Sequence, residues 1–218
     1  MNPNPAFAWK TSWRRFSVGI FLLVLALVLG GVIWHSWLQD RLIPKRWGVV
    51  EQGYIYRSAQ LRPTLLKKAL NRYRIQRIVD LTLPDPADAV QAAEKEIAAD
   101  LGVEYLNYPL YGSGIGEIWN YAYAMAVMAS AKKDEKPVLV HCFAGTQRTG
   151  GVIAAYRLLI EKRPAADVYA ELIRYDWNPK KDRILSEFLN SHMAELADRL
   201  LEMRLIDTIP DPLPFLGP

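Results

Sequence analysis

One stretch of ten residues, His141-Cys142-Phe143-Ala144-Gly145-Thr146-Gln147-Arg148-Thr149-Gly150, gathers the groups needed to attack a phosphate. An apolar run, Pro137 to Val140, precedes it, and a helical run, Val152 to Ile160, follows. A loop joining a strand to a helix turns successive backbone N–H groups inward and adds the positive end of the helix dipole. Residues Phe143, Ala144, Gly145, Thr146, Gln147 and Arg148 therefore read as an anion-binding nest. The same field favours the thiolate form of Cys142, which is the nucleophilic form. Arg148 adds a planar fork that binds two phosphate oxygens at once. Thr149 is placed to donate its hydroxyl to the Cys142 sulfur, and its type also suits the start of a helix. Gly145 and Gly150 mark positions of unusual dihedrals or close approach. The implied chemistry is nucleophilic: Cys142 displaces the alcohol of a phosphate monoester, and water then hydrolyses the cysteinyl-phosphate.

The pattern His-Cys-x5-Arg-Thr-Gly resembles the signature of the cysteine-based protein tyrosine phosphatases, most closely their dual-specificity branch of bacterial type. A second stretch, Gly53-Tyr54-Ile55-Tyr56-Arg57-Ser58-Ala59-Gln60, resembles the segment that opens the catalytic body of bacterial and fungal members. The resemblance covers about Trp47 to Leu200. It implies that Cys142 is the nucleophile, that His141 orients the loop without acting as general base, and that Arg57 and Gln60 are structural. It implies no metal and no cofactor.

At the general acid the sequence departs from this family. Relatives carry an aspartate just past a Pro-hydrophobic pair, whereas here Tyr108-Pro109-Leu110-Tyr111-Gly112-Ser113-Gly114 holds no carboxylate. Two candidates remain. Glu117 lies beyond three glycines that would let a loop fold over the site, and would otherwise be an ordinary first-turn acid facing the helix dipole. Asp176, in Tyr175-Asp176-Trp177-Asn178, would otherwise be a turn residue before Asn178-Pro179. The family's inositol-lipid phosphatases place lysines in the loop. This loop has only Arg148, which argues against polyphosphoinositides and leaves phosphotyrosine, phosphoserine/threonine or a simpler lipid phosphate open.

The elements that must hold these groups alternate in type. Gly48 to Glu51 and Tyr54 to Arg57 flank Gln52-Gly53 as a hairpin. Pro63 to Tyr73 reads as a helix and Arg77 to Leu83 as a buried strand. Asp85-Pro86 opens a helix through Ala99 that Gly102 ends. Val103 to Tyr108 is the next strand, Glu117 to about Lys132 a helix, and Val138 to His141 the strand that feeds the phosphate loop. Helices Thr149–Lys162, Ala165–Tyr175 and Lys180–Met203 follow. The fold class expected is α/β, a mostly parallel sheet of four to five strands covered by helices on both faces.

Composition sets the remaining bounds. The chain has 218 residues and a net charge of +4, of which Lys10, Arg14 and Arg15 supply +3 ahead of residue 39. A nearly neutral body is not that of a nucleic-acid binder. Cys142 is the single cysteine, so no internal disulfide, zinc spacing or resolving thiol exists. From Phe16 to Leu38 the chain is apolar, long enough to cross a bilayer as a helix, with Trp13, Trp34 and Trp37 at its ends. The reading is therefore a basic segment 1–15, a transmembrane anchor 16–38, a linker 39–46, a phosphatase domain 47–205 and a proline-rich tail 206–218. The short basic N-terminus favours an extracytoplasmic body, with a cytoplasmic one as the alternative. The expected function is a membrane-anchored phosphatase acting on phosphotyrosine or phosphoserine/threonine proteins. A phosphatase of phospholipids or other small phosphate esters, and a weakly active phosphate-binding module, are the alternatives.

Overall fold

The computed structural model describes residues 20–32 and 43–217. The chain divides into two units, Met1–Ile43 and Pro44–Pro218, and the second carries the sheet. Its sheet has five strands: β1 (Gly48–Glu51), β2 (Ile55–Ala59), β3 (Arg77–Asp80), β4 (Glu104–Asn107) and β5 (Val138–Cys142). The spatial order is β1-β2-β5-β3-β4. Only the β1–β2 hairpin is antiparallel; β2–β5, β5–β3 and β3–β4 are parallel. This is the expected α/β architecture, with β5 at its centre.

Six helices cover the sheet: α1 (Pro63–Tyr73), α2 (Ala89–Asp100), α3 (Ile118–Ser130), α4 (Gln147–Leu159), α5 (Ala165–Arg174) and α6 (Arg183–Glu202). Pro63 starts α1, where its missing N–H costs nothing. The Asp88 side chain caps α2 by accepting from the N–H groups of Val90 and Gln91. Helix α2 thus starts at its cap, later than the Asp85-Pro86 start read from sequence.

Strand alternation divides the core in two. Val138, Val140 and Cys142 pack with α3 to α6, whereas Leu139 packs with Tyr56, Ile78 and the buried faces of α1 and α2. Cys142 and His141 therefore project from opposite faces of one strand. Asp80 lies beside His141 in register on β3, and Ser58 beside it on β2. The proline-rich segment near the C-terminus is docked: Leu216 is buried, and Asn190 both donates to its carbonyl and accepts from its N–H.

The membrane expectation is corrected. Residues 20–32 are helical. Among the described residues no helix is long and apolar enough to cross a membrane. The extracytoplasmic placement of the body, which rested on that anchor, falls with it. The basic segment 1–15, the remainder of the expected span and its tryptophans lie outside the described residues.

Candidate active site

The Cys142–Arg148 loop sits at the C-terminal end of the central strand, where the chain order changes direction between β2 and β3. That crevice is the usual ligand position of an open α/β sheet. Three carbonyls of the loop are held from outside. The Phe143 carbonyl accepts from the Gln60 N–H at 3.3 Å, the Ala144 carbonyl from Arg46 Nη1 at 2.7 Å, and the Gly145 carbonyl from Arg57 Nη2 at 2.9 Å. Carbonyls fixed outward leave N–H groups to face the cavity of the loop, which is what an anion nest requires. Gly145 has φ +74°, and a Cβ there would meet the backbone of Ser58 and Ala59 at 2.6–2.8 Å. Only glycine fits, because the loop presses directly on the end of β2.

Arg57 is buried, and its guanidinium stacks over the Tyr175 ring at 3.6 Å. Burial lowers its pKa to about 10, with Tyr175, Glu171 and Cys142 acting in the opposite direction. It stays a cation at neutral pH. The sequence expectation of a structural role fits its bond to the Gly145 carbonyl.

Cys142 is 1% exposed, and its Sγ accepts from the Gly145 N–H at 3.1 Å. Burial raises the thiol's pKa, but the Thr149 hydroxyl, the Arg148 charge and the N–H groups of Thr149 and Gly145 outweigh it. The net direction is down, toward the thiolate. Thr149 Oγ1 is itself buried and has no conventional hydrogen bond, which leaves it available to the sulfur. Helix α4 begins at Gln147, two residues earlier than the sequence predicts, so Arg148 and Thr149 occupy its first turn. Arg148 and Gln147 are half-buried at the mouth of the loop, and Thr146 is buried. Phe143 points outward, 68% exposed.

His141 lies behind the loop, on the opposite face of the sheet from the sulfur. Its Nε2 is 3.0 Å from Glu94 Oε1 and its Nδ1 is 4.0 Å from Asp80 Oδ1, all three groups being buried.

The two general-acid candidates are placed differently. Asp176 accepts from Arg46 Nε at 2.9 Å, and the same guanidinium holds the Ala144 carbonyl. One side chain thus ties Asp176 to the phosphate loop. Glu117 is exposed at the N-terminus of α3 and makes no capping hydrogen bond. The glycine segment before it runs beside the loop, since a Cβ at Gly114 would lie 3.4 Å from the Gln147 carbonyl oxygen.

Sequence reasoning missed four residues at this site. Arg46 was assigned to a linker, yet it braces the loop. Asp182 Oδ1 accepts from Gln147 Nε2 at 2.8 Å, while its Oδ2 accepts from the Asn178 N–H. Asp80 and Glu94 flank His141. For Glu94 a signal existed: Gln91, Glu94, Ile97 and Ala98 share one helical face, and a face with Ile97 inward buries the two polar residues with it.

Residues 41–203, well over half of the chain, match the tyrosine phosphatase family. The chain belongs to that family and is a cysteine-based phosphatase by class. No curated protein matches it in sequence. Among solved structures it is similar to P. aeruginosa TpbA, with 20% identity and a TM-score of 0.55 over 70% of this chain and 88% of that one. A complex of TpbA with pTyr gives 19% identity and a TM-score of 0.56, covering 75% and 98%. The core catalytic domain of the PP-IP phosphatase SIW14 from S. cerevisiae gives 17% and 0.58, covering 75% and 95%. At these identities the likeness is one of fold.

Proposed function

We propose that this chain hydrolyses phosphate monoesters through a cysteinyl-phosphate on Cys142, and that its substrates are phosphotyrosine or phosphoserine/threonine proteins. The observation that carries the reading is the sulfur at the base of the loop. It is held by the Gly145 N–H and faced by Thr149 and Arg148, which favour the thiolate. In the first step the Cys142 sulfur attacks phosphorus and the S–P bond forms as the P–O bond to the leaving group breaks. Backbone N–H groups from Phe143 to Arg148 and the Arg148 guanidinium stabilise the equatorial oxygens. A carboxylic acid gives its proton to the departing oxygen. Water then attacks the phosphocysteine, inorganic phosphate leaves, and the Thr149 hydroxyl stabilises the thiolate released.

Asp176 and Glu117 are the proposed proton donors, one tied to the loop through Arg46 and the other exposed beyond the glycine segment. A monoester bearing one phosphate is favoured because Arg46 and Arg57 are committed to loop carbonyls, leaving Arg148 as the cation of the cradle. The exposed ring of Phe143 offers an apolar surface at the rim for an aryl or peptide group. A polyphosphoinositide, or a PP-IP substrate of the kind named for SIW14, would need further cations that the loop sequence lacks, whereas a lipid bearing a single phosphate would not.

The test is hydrolysis of an aryl phosphate and of phosphotyrosine, phosphoserine and phosphothreonine peptides by the full chain, with Cys142→Ser beside it. Turnover that is lost in the variant is expected. Equal inertness of both, with phosphate binding retained, would make the chain a binding module instead.

A further inference from the structure

Each outward carbonyl of the phosphate loop shares a peptide with the N–H of the next residue, and in a planar trans peptide those two groups point in opposite directions. The Ala144–Gly145 peptide is the one that meets the nucleophile. Its carbonyl accepts from Arg46 Nη1 at 2.7 Å, and its N–H donates to Cys142 Sγ at 3.1 Å. A guanidinium on one side of the peptide thus fixes what the sulfur receives on the other. A charged donor on the carbonyl also polarises the amide and strengthens the bond that its N–H makes.

Arg46 is brought to the loop by β2 and held there by Asp176. The Lys45 carbonyl accepts from the Ala59 N–H at 2.9 Å, which lays the chain ahead of β1 along the end of β2. Arg46 Nε donates to Asp176 Oδ2 at 2.9 Å, so one fork spans carboxylate and loop. Both residues sit in the left-handed region, Arg46 at φ +52° and Asp176 at φ +66°. At Asp176 the cause is the end of α5. The Trp177 N–H bonds the Leu172 carbonyl and the Asp176 N–H the Ile173 carbonyl, a termination that ordinarily places glycine where Asp176 stands. A carboxylate there gains nothing for the helix, since its charge opposes the dipole at a C-terminus. Its partner is Arg46, and backbone strain of this kind persists at sites where geometry serves the chemistry.

We propose that Arg46 and Asp176 are positioning residues for the nucleophile: Asp176 holds Arg46, and Arg46 holds the Ala144–Gly145 peptide with its N–H on the Cys142 sulfur. The inference rests on the reading of Cys142 as nucleophile. The charged and titratable groups that act on the sulfur directly are Arg148 of α4, Arg57 of β2, Tyr121 of α3 and His141 of β5 itself. Arg46 differs from these in acting through a peptide, its own charge being offset by Asp176. Loss of Asp176 separates the two effects by sign. Through charge alone, removing an anion favours the thiolate; through a loosened Arg46, it disfavours the thiolate.

The experiment uses two readouts on the full chain that need no turnover. Cys142 is the single cysteine, so iodoacetamide alkylation against pH reads its thiolate alone. The amide NMR signal of Gly145 in 15N-labelled protein reads the N–H on the sulfur, and in the unmodified protein it shifts as Cys142 ionises. Arg46→Ala is expected to slow alkylation about tenfold at a pH below both thiol pKa values, equivalent to one pKa unit, with the rates converging where both thiols are ionised. The Gly145 signal then loses most of its response to that ionisation. Asp176→Gly slows alkylation in the same direction, by about threefold, equivalent to half a pKa unit. Its denaturation midpoint holds or rises, since glycine suits the end of α5. A residue kept only for the fold would lower the midpoint and leave the profile in place. An Arg46→Ala profile that superimposes on that of the unmodified protein, or faster alkylation of Asp176→Gly, would overturn the proposal. Should Arg46→Ala fail to fold, Arg46→Gly, which suits φ +52°, removes the same bonds. Alkylation expels iodide and involves no leaving-group oxygen, so this role is read apart from the proton donation proposed for Asp176. Variants that respond as expected in a chain that turns over no phosphoester would refute the assigned activity and leave the positioning role intact.

Discussion

At the scale of single residues, the proposed mechanism gives Cys142, Arg148 and Thr149 separable tasks, and each leaves its own kinetic mark. Arg148→Ala removes the one cation of the cradle and should cost about 10²–10³-fold in kcat, as removal of a preorganised transition-state donor does. Arg148→Lys keeps the charge but not the fork, and is expected to recover little of that loss. Thr149→Val should raise the thiol pKa, seen as a shift of the alkylation profile to higher pH, because one of the groups that outweigh burial is gone. The proton donor is tested by leaving group. Loss of a general acid costs about 10²–10⁴-fold on poor leaving groups and little on good ones. Asp176→Asn and Glu117→Gln, assayed on alkyl and nitrophenyl phosphates, identify the donor by which variant shows that contrast. A flat response in both would assign the proton elsewhere.

At the scale of elements, the loop's shape is imposed from outside by β2 and by the residues just before β1. Gly145→Ala would set a side chain against Ser58 and Ala59 in a left-handed conformation, at a cost of about 1–3 kcal/mol for the strained backbone alone. A fall in the denaturation midpoint together with loss of phosphate protection is expected; loss of neither would mean that the loop relaxes freely. Much of this level was legible in the sequence. Strand–helix alternation, the Gln52-Gly53 hairpin and the Pro63 start are local signals, and local chemistry settles them. The braces were not legible. Arg46 to Ala144 spans 98 positions and Arg57 to Gly145 spans 88, separations at which a single sequence carries no pairing information. Asp182 was missed for the same reason, since its tie to Gln147 depends on how the turn before α6 folds back. The anchor was over-read. Hydropathy from Phe16 to Leu38 measures what a segment tolerates, whereas among the described residues no helix is long and apolar enough to cross a membrane.

At the scale of the whole molecule, the buried cluster behind β5 links stability to pH. The folded-state pKa of His141 lies above its unfolded value, so its contribution is fully present below about 6.5 and is lost as pH rises through about 9. Urea midpoints should decline over that window, and the decline should shrink in Glu94→Gln; a flat profile would mean that His141 is neutral in the native protein. The proposed chemistry is nevertheless covalent. Rapid-quench mass spectrometry of the Cys142 peptide during turnover of an aryl phosphate tests it most directly. A phosphate adduct on the Cys142 sulfur, formed in a burst stoichiometric with enzyme and decaying as phosphate is released, is the expected result. Turnover without a burst, and with Cys142 unmodified throughout, would contradict it.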